Sequence, residues 1–173
     1  MEWPPRFNDE LDRRLRLEHK LTADRALLEG ALLQYAGSPA DFISDCVYLS
    51  EPRHANVGDP VVLPCVLFER QRDFIGWLHE RWMTKTSAPV EKSRDSGATW
   101  MSCAFAVWVW LFHPGSTVGF GSRKEILVDR AGDLQSIFEK IRFIVRHLPQ
   151  YLKPRGFNEH RDSNYMRLLN SAN

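Results

Sequence analysis

The chain has few cysteines, and their spacing does not suit a metal site. Three cysteines occur in 173 residues, without a Cys-x-x-Cys pair or a Cys/His cluster. A structural zinc site is therefore not expected. An odd number of cysteines without pairing spacings is typical of a reducing cytosol. The three residues are Cys46, Cys65 and Cys103.

The sequence also lacks a strong excess of charge and a long hydrophobic run. Its formal net charge is +1, whereas a protein whose whole surface binds nucleic acid is usually more basic. Any nucleic-acid contact is therefore expected to be local. Met1–Pro5 has no basic start followed by an apolar run, so no signal peptide is predicted. The apolar stretch Thr99–Phe112 is too short to span a bilayer.

The N-terminal part of the chain is predicted to be helical. A length of 173 residues is enough for one domain with a proper core. Asn8–Tyr35 is rich in Leu, Ala, Glu and Arg and has no proline, which predicts one helix that ends at Gly37-Ser38-Pro39. Its leucines form a broken stripe. This stripe fits either a partly packed surface helix or a docking arm for a partner subunit.

Four further helical or mixed segments follow from periodicity. Ala40–Leu49 predicts a short helix that runs into a strand, and Arg70–Trp82 has a helical period. Thr99–Phe112 is apolar on all sides, so we expect a helix buried on all sides. Asp133 is expected to cap a helix that continues to His147.

Few segments predict strands. Ser116–Gly121 and Tyr165–Leu169 are each expected to form a short strand. Before the polar turn described next, pairing is expected only for Val90–Ser93, because Pro89 cannot donate to a ladder.

A polar turn with a glycine runs directly into the apolar helix. Such a turn presents free backbone N–H groups, and the helix dipole favours an anion there. The usual phosphate loop reads Gly, four residues, Gly, Lys, then Ser or Thr. Here Gly97 and Thr99 match, whereas Lys92 replaces the first glycine and Ala98 the usual lysine. The alternative interpretation is an ordinary loop capped by Ser96.

The amino-acid sequence of this turn resembles that of a known protein family. Lys92-Ser93-Arg94-Asp95-Ser96-Gly97-Ala98-Thr99-Trp100 resembles the deviant Walker A loop of phage terminase large subunits, in which the lysine often sits at the front. Phe68 with Gln71 looks like the Q motif of terminases and helicases. A glutamine amide can pair bidentately with the adenine edge. Ser122-Arg123-Lys124-Glu125 is also similar to the family, so Arg123 and Lys124 are secondary candidates for coupling to nucleotide or DNA; otherwise they form an exposed basic turn.

The resemblance implies an α/β fold: a P-loop NTPase-type three-layer sandwich, incomplete, with an N-terminal helical extension. Residues 1–60 would be this extension with its linker, and residues 61–173 the N-terminal part of the ATPase domain. Ile126–Asp129 imitates a Walker B strand, but Arg130 follows where a glutamate is needed, so a helix is preferred. The Asp-Glu pair that turnover needs, and the family's nuclease domain, are expected beyond residue 173.

The resemblance also implies a role for each residue of the turn. Lys92 and Arg94 would contact the phosphates as catalytic residues, Gln71 would read adenine, and Thr99 would hold Mg²⁺. The cofactors would be ATP and Mg²⁺. The remaining nucleotide-binding residues would be Ser93, Asp95, Ser96, Gly97, Ala98 and Thr99.

The biology implied by the resemblance is ATP-driven packaging of double-stranded viral DNA into a procapsid. The expected partners are double-stranded DNA, a small terminase subunit, the portal protein and further copies in a homo-oligomeric ring, in the cytoplasm of a bacterial host and without a membrane. By itself the chain is expected to hydrolyse ATP slowly or not at all. Two alternatives stay open: a helicase-like translocase fragment, and an inert P-loop docking module that acts through Asn8–Tyr35.

Overall fold

Helices dominate the computed structural model, which describes residues 6–94 and 96–170. The expectations for Met1–Pro5, Asp95 and the last three residues lie outside this part. The helices are α1 (Phe7–Ala23), α2 (Arg25–Gly37), α3 (Pro39–Cys46), α4 (Glu69–Thr84), α5 (Ala98–Phe112), α6 (Glu125–Val128), α7 (Ile137–His147) and α8 (Glu159–Asp162). Two 3-10 helices cover Pro52–Val57 and Gln150–Leu152. None of the described helices is long and apolar enough to cross a membrane.

The strands form two small antiparallel sheets. Strands β1 (Tyr48–Ser50) and β2 (Val62–Pro64) form one pair, and β3 (Ser163–Asn164) and β4 (Arg167–Leu168) form the other. In the first pair Leu49 lies opposite Leu63. The prediction of a short helix followed by a strand over Ala40–Leu49 is confirmed by α3 and β1.

The expected single helix over Asn8–Tyr35 is wrong, because it breaks at Asp24. This residue has φ −129° and ψ 109°, which is extended backbone. Its carboxylate accepts the N–H groups of Ala26 at 2.9 Å and Leu27 at 3.2 Å, and so caps α2. An aspartate competes with the helix in this way at an N-cap.

The helical extension is joined to the first sheet through a buried arginine. Arg14 on α1 donates to the carbonyl oxygens of Val47 at 2.6 Å and Cys65 at 2.9 Å. Its guanidinium also lies 5.1 Å from the centroid of the Tyr48 ring. These contacts satisfy backbone groups beside both strands, so α1 packs on residues from either side of position 60.

Helix α5 forms the centre of the core, and α3, α4 and α7 pack around it. Trp108 is fully buried, and its indole N–H donates to the carbonyl oxygen of Tyr35 at 2.7 Å. Burial on all sides is confirmed for the middle of the helix, whereas Trp100 and Phe112 near its ends are half-buried.

Three predictions about strands and helix starts need correction. Ser116–Gly121 and Val90–Ser93 are not in any sheet of the described chain. Neither has a neighbouring strand there, and glycines at alternate positions give the first little side-chain packing. Helix α7 begins at Ile137, because Asp133 instead closes a turn, in which its carboxylate accepts the N–H of Gln135 at 2.9 Å.

Two predictions near these segments fare better. The helix preferred for Ile126–Asp129 is present as α6. Of the strand expected over Tyr165–Leu169, only Arg167–Leu168 is paired, because Tyr165 and Met166 form the turn of the hairpin, with Met166 at φ 54°. The parallel sheet that a P-loop sandwich requires is not seen among the described residues.

Candidate functional site

Helices α4 and α5 run side by side in the same direction. At their N-terminal ends the Gln71 side chain contacts Ser96, and at their C-terminal ends the ring centroids of Trp82 and His113 are 5.7 Å apart. The connection between them must therefore return along the 16 residues of α4, a length of about 24 Å. Its residues 85–94 are exposed. The polar turn thus lies where two parallel helices begin.

Gln71 is brought directly onto the turn. It lies in the first turn of α4, and its Nε2 donates to the carbonyl oxygen of Ser96 at 3.2 Å. Gly97 follows at φ 76°, and a Cβ there would lie 2.7 Å from Gln71 Nε2. Only glycine fits this backbone without strain and without moving the amide. The two motifs picked out in the sequence are therefore neighbours in space.

The first turn of α5 offers backbone donors. Gly97 is the N-cap and supplies no side-chain hydrogen bond, so the expected cap by Ser96 is not formed. The first intrahelical bond runs from Met101 N to Gly97 O at 3.0 Å, so the N–H groups of Ala98 and Thr99 precede the helical ladder. Ser96 Oγ is buried and has no partner among the described residues.

The cations of the turn are exposed to solvent. Lys92, Ser93 and Arg94 are exposed, and in the described part of the chain no ion pair joins either cation to another residue. Thr99, the residue expected to hold Mg²⁺, is also exposed. Asp95 lies outside the described residues, so the turn can be compared with the expected cradle only from Ser96 onward.

The basic turn at Arg123 and Lys124 is exposed as well, and Lys124 is the N-cap residue of α6. It follows Ser116–Gly121, which is not a paired strand. Exposure is compatible both with a simple basic turn and with coupling to nucleotide or DNA, so both interpretations remain open.

A buried cation that the sequence analysis did not identify lies against the start of α5. Lys140 on α7 has its Nζ 5.6 Å from the centroid of the Trp100 ring, and it donates to the carbonyl oxygen of Leu134. Burial lowers the pKa of this lysine. The burial of this lysine could not be predicted from the sequence. Lys140 lies next to an apolar helical stripe, and its long aliphatic stem can pack like an apolar residue.

A second missed feature is a buried ion pair. Arg142 donates to the two carboxylate oxygens of Asp129 at 2.7 and 2.6 Å, and to Ser163 Oγ at 2.8 Å. Met166 N also donates to Asp129. Burial alone would raise the pKa of Asp129, but the Arg142 and Met166 hydrogen bonds lower it overall. This pair ties α6 and α7 to the β3–β4 hairpin, and its role is structural.

The cysteines and acidic residues do not form a further reactive centre. Burial raises the pKa of each cysteine thiol to about 12, which disfavours the nucleophilic thiolate. Over residues 6–94 and 96–170, no group of three or more His, Cys, Asp or Glu side chains could hold a metal ion.

No family model, curated protein or solved structure matches this chain. A function therefore has to be argued from the turn, its neighbours and the sequence pattern.

Proposed function

We propose that the chain binds ATP at the start of α5, as the ATP-binding part of a terminase large subunit that powers translocation of double-stranded DNA into a procapsid. The observation that carries the proposal is the hydrogen bond from Gln71 Nε2 to Ser96 O. It joins the side chain that would read adenine to a turn that shares Gly97 and Thr99 with the phosphate-loop pattern. The amide retains Oε1 and its second N–H, which are the groups that an adenine edge pairs with.

The turn fits a phosphate in two further respects. Gly97 has no side chain, and its backbone approach to Gln71 leaves no room for one. The buried, unpartnered Ser96 Oγ marks a hydrogen-bonding group that a ligand would satisfy. With the free N–H groups of the first turn and the positive end of the helix dipole, this arrangement favours an anion.

The charged side chains would complete the site from the solvent side. The exposed Lys92 and Arg94 reach phosphate oxygens once the turn closes on them, in place of the lysine that Ala98 replaces. Ser93 and Asp95 would contribute to the cradle, and Thr99 Oγ1 would be a ligand of Mg²⁺, which supplies charge neutralisation when bound.

The P-loop sandwich is part of the same proposal. Two parallel helices joined by a connection that returns to the start of the second have the same directions as the helices of a helix–strand–helix unit. The connection, residues 85–94, is exposed and unpaired here, so this likeness is limited to the directions of the two helices. DNA, the small terminase subunit, the portal and the ring of copies belong to the assembled motor in this proposal.

Calorimetry with Mg²⁺-ATP tests the proposal on this chain. We expect binding, and we expect Lys92→Ala to weaken it at least tenfold, because a charged phosphate contact contributes about 1.5–3 kcal/mol. Lys20→Ala is the matched control, because Lys20 is an exposed lysine in the last turn of α1. Binding that is equal in both variants would contradict the role of Lys92.

The same titration separates the alternatives. Loss of the preference for ATP over GTP in Gln71→Ala is expected if the amide reads adenine. A protein that binds neither nucleotide would favour the inert docking module, in which α1 and α2 carry the function. A helicase-like translocase would share the nucleotide site, and an Asp-Glu-x-His-type continuation beyond residue 173 would distinguish it.

A further inference from the structure

A cleft lies beside the C-terminal end of α4, and its lining on the α5 side extends from Ser102 to His113. It has a volume of about 930 Å³, within the range of about 300–1,000 Å³ that small-molecule sites occupy. Most of its wall is apolar, from α4, α5 and the extended segment that follows α5. The apolar residues are Leu78, Trp82, Met83, Phe105, Val118 and Phe120.

Two buried side-chain nitrogens line this cleft without partners in the described part of the chain, and His113 Nε2 is a donor in one of the two imidazole tautomers. Arg81 Nε and His113 Nε2 are buried and have no hydrogen-bond partner among the described residues, and both residues border the cleft. The outer Nη2 of Arg81 donates to Glu80, whose side chain is exposed. The inner edge of the guanidinium is thus left for another acceptor. Buried polar groups are nearly always paired, so such a group marks a place where an acceptor binds.

The position of His113 is fixed by aromatic contacts. Its ring centroid is 4.4 Å from that of Trp108 and 5.7 Å from that of Trp82. The imidazole therefore cannot turn out to solvent without breaking two ring contacts.

The charges of the cleft favour an anion. Arg81 and Lys85 are basic, and the described residues that line the cleft include no aspartate or glutamate. The last carbonyl groups of α4 are already bonded, with Thr86 N donating to Arg81 O at 3.1 Å and Lys85 N to Trp82 O at 3.4 Å. Arg81 and Lys85 are thus the charged residues of the described lining, and the carboxylate paired with Arg81 is that of Glu80, which lies outside it.

We propose that this cleft binds a small apolar molecule that carries a carboxylate. The carboxylate accepts from Arg81 Nε and His113 Nε2, and the apolar body packs between Trp82 and Phe120. Among the described residues, this site shares no lining residue with the proposed nucleotide site at the start of α5.

Calorimetric titration of the chain with 2-naphthoate tests the inference, with 2-naphthamide as the neutral analogue of the same shape. We expect the carboxylate to bind at least tenfold more tightly than the amide. Arg81→Met should remove that difference, and Arg70→Met should keep it, since Arg70 is an exposed arginine on the same helix. His113→Gln should also weaken naphthoate binding, and circular dichroism shows whether each variant is folded.

Four results would overturn the inference. They are no binding of 2-naphthoate, equal binding of both probes, unchanged binding in folded Arg81→Met and His113→Gln, or displacement of the probe by Mg²⁺-ATP. If Arg81→Met does not fold, Arg81→Lys and His113→Gln take its place, because lysine keeps the charge and lacks Nε. Unchanged affinity for 2-naphthoate in both folded variants would then overturn the inference.

Discussion

At the scale of single residues, Gly97 is the position with least freedom to change. Its backbone is left-handed at φ 76°, and Gln71 Nε2 occupies the space of a Cβ. The same amide donates to Ser96 O. A side chain at position 97 would therefore disturb the turn and the glutamine together.

Gly97→Ala is expected to lower the free energy of unfolding by about 1–2 kcal/mol, the cost of a left-handed non-glycine residue, plus the cost of displacing Gln71. Gly30→Ala is the matched control, because this glycine lies inside α2, where an added Cβ would meet none of the described residues within 4 Å. It should stabilise by about 0.5–1 kcal/mol. Urea unfolding measures both, and a loss of similar size in the two variants would contradict the strain argument.

The buried pair of Asp129 and Arg142 makes a second prediction at this scale. Asp129→Asn leaves the buried guanidinium with only the more distant Glu139 carboxylate, at 3.4 Å, and should cost up to about 3–5 kcal/mol at neutral pH. Asp133→Asn, on a more exposed aspartate with a distant ion pair to Arg130 at 3.6 Å, should cost far less. Chemical denaturation of the two variants measures the difference.

The stabilisation by the Asp129–Arg142 pair should depend on pH in a defined direction. The folded pKa of Asp129 is lowered, so its contribution is complete above the unfolded pKa of about 3.9. It is lost as the pH falls through the lower folded value, because the unfolded chain then binds the extra proton. The stability difference between wild type and Asp129→Asn should therefore shrink below about pH 4. A constant difference down to the acid transition would contradict the assignment.

At the scale of elements, helix type was more predictable than helix limits. The period of Arg70–Trp82 and the apolar run of Thr99–Phe112 correspond to α4 and α5. The break at Asp24 was missed because leucines continue on both sides of it, while the local cap overrides the stripe. Long-range pairs such as Asp129 with Arg142 are set by packing and left no local pattern.

The Asp24 cap makes a prediction at this scale. Asp24→Ala should lower the free energy of unfolding by about 1 kcal/mol, because the first N–H groups of α2 lose their acceptor. Asp12→Ala, an exposed residue within α1, is the control and should change stability by less than about 0.5 kcal/mol. Thermal unfolding compares the two, and equal shifts would show that the cap does not hold α2.

At the scale of the whole molecule, the sequence anticipated a mixed helical and β chain but not its sheets. The sheets of the described chain are two-stranded and antiparallel, whereas the expected P-loop fold has a parallel sheet. Strand pairing depends on partners that are distant in sequence, so local patterns identify an extended segment without its neighbour. The contact of Gln71 with the polar turn is seen only in the structure, and the exposed positions of Lys92 and Arg94 likewise had no pattern in the sequence.

Hydrogen exchange of the backbone amides with and without Mg²⁺-ATP tests the central claim most directly. If the start of α5 holds the phosphates, exchange at Ala98, Thr99 and Trp100 should slow on adding nucleotide, and Lys92→Ala should abolish the protection. Helix α7 should be unaffected. Binding of ATP with unchanged exchange at these three amides would contradict the account, because the nucleotide would then lie elsewhere on the molecule.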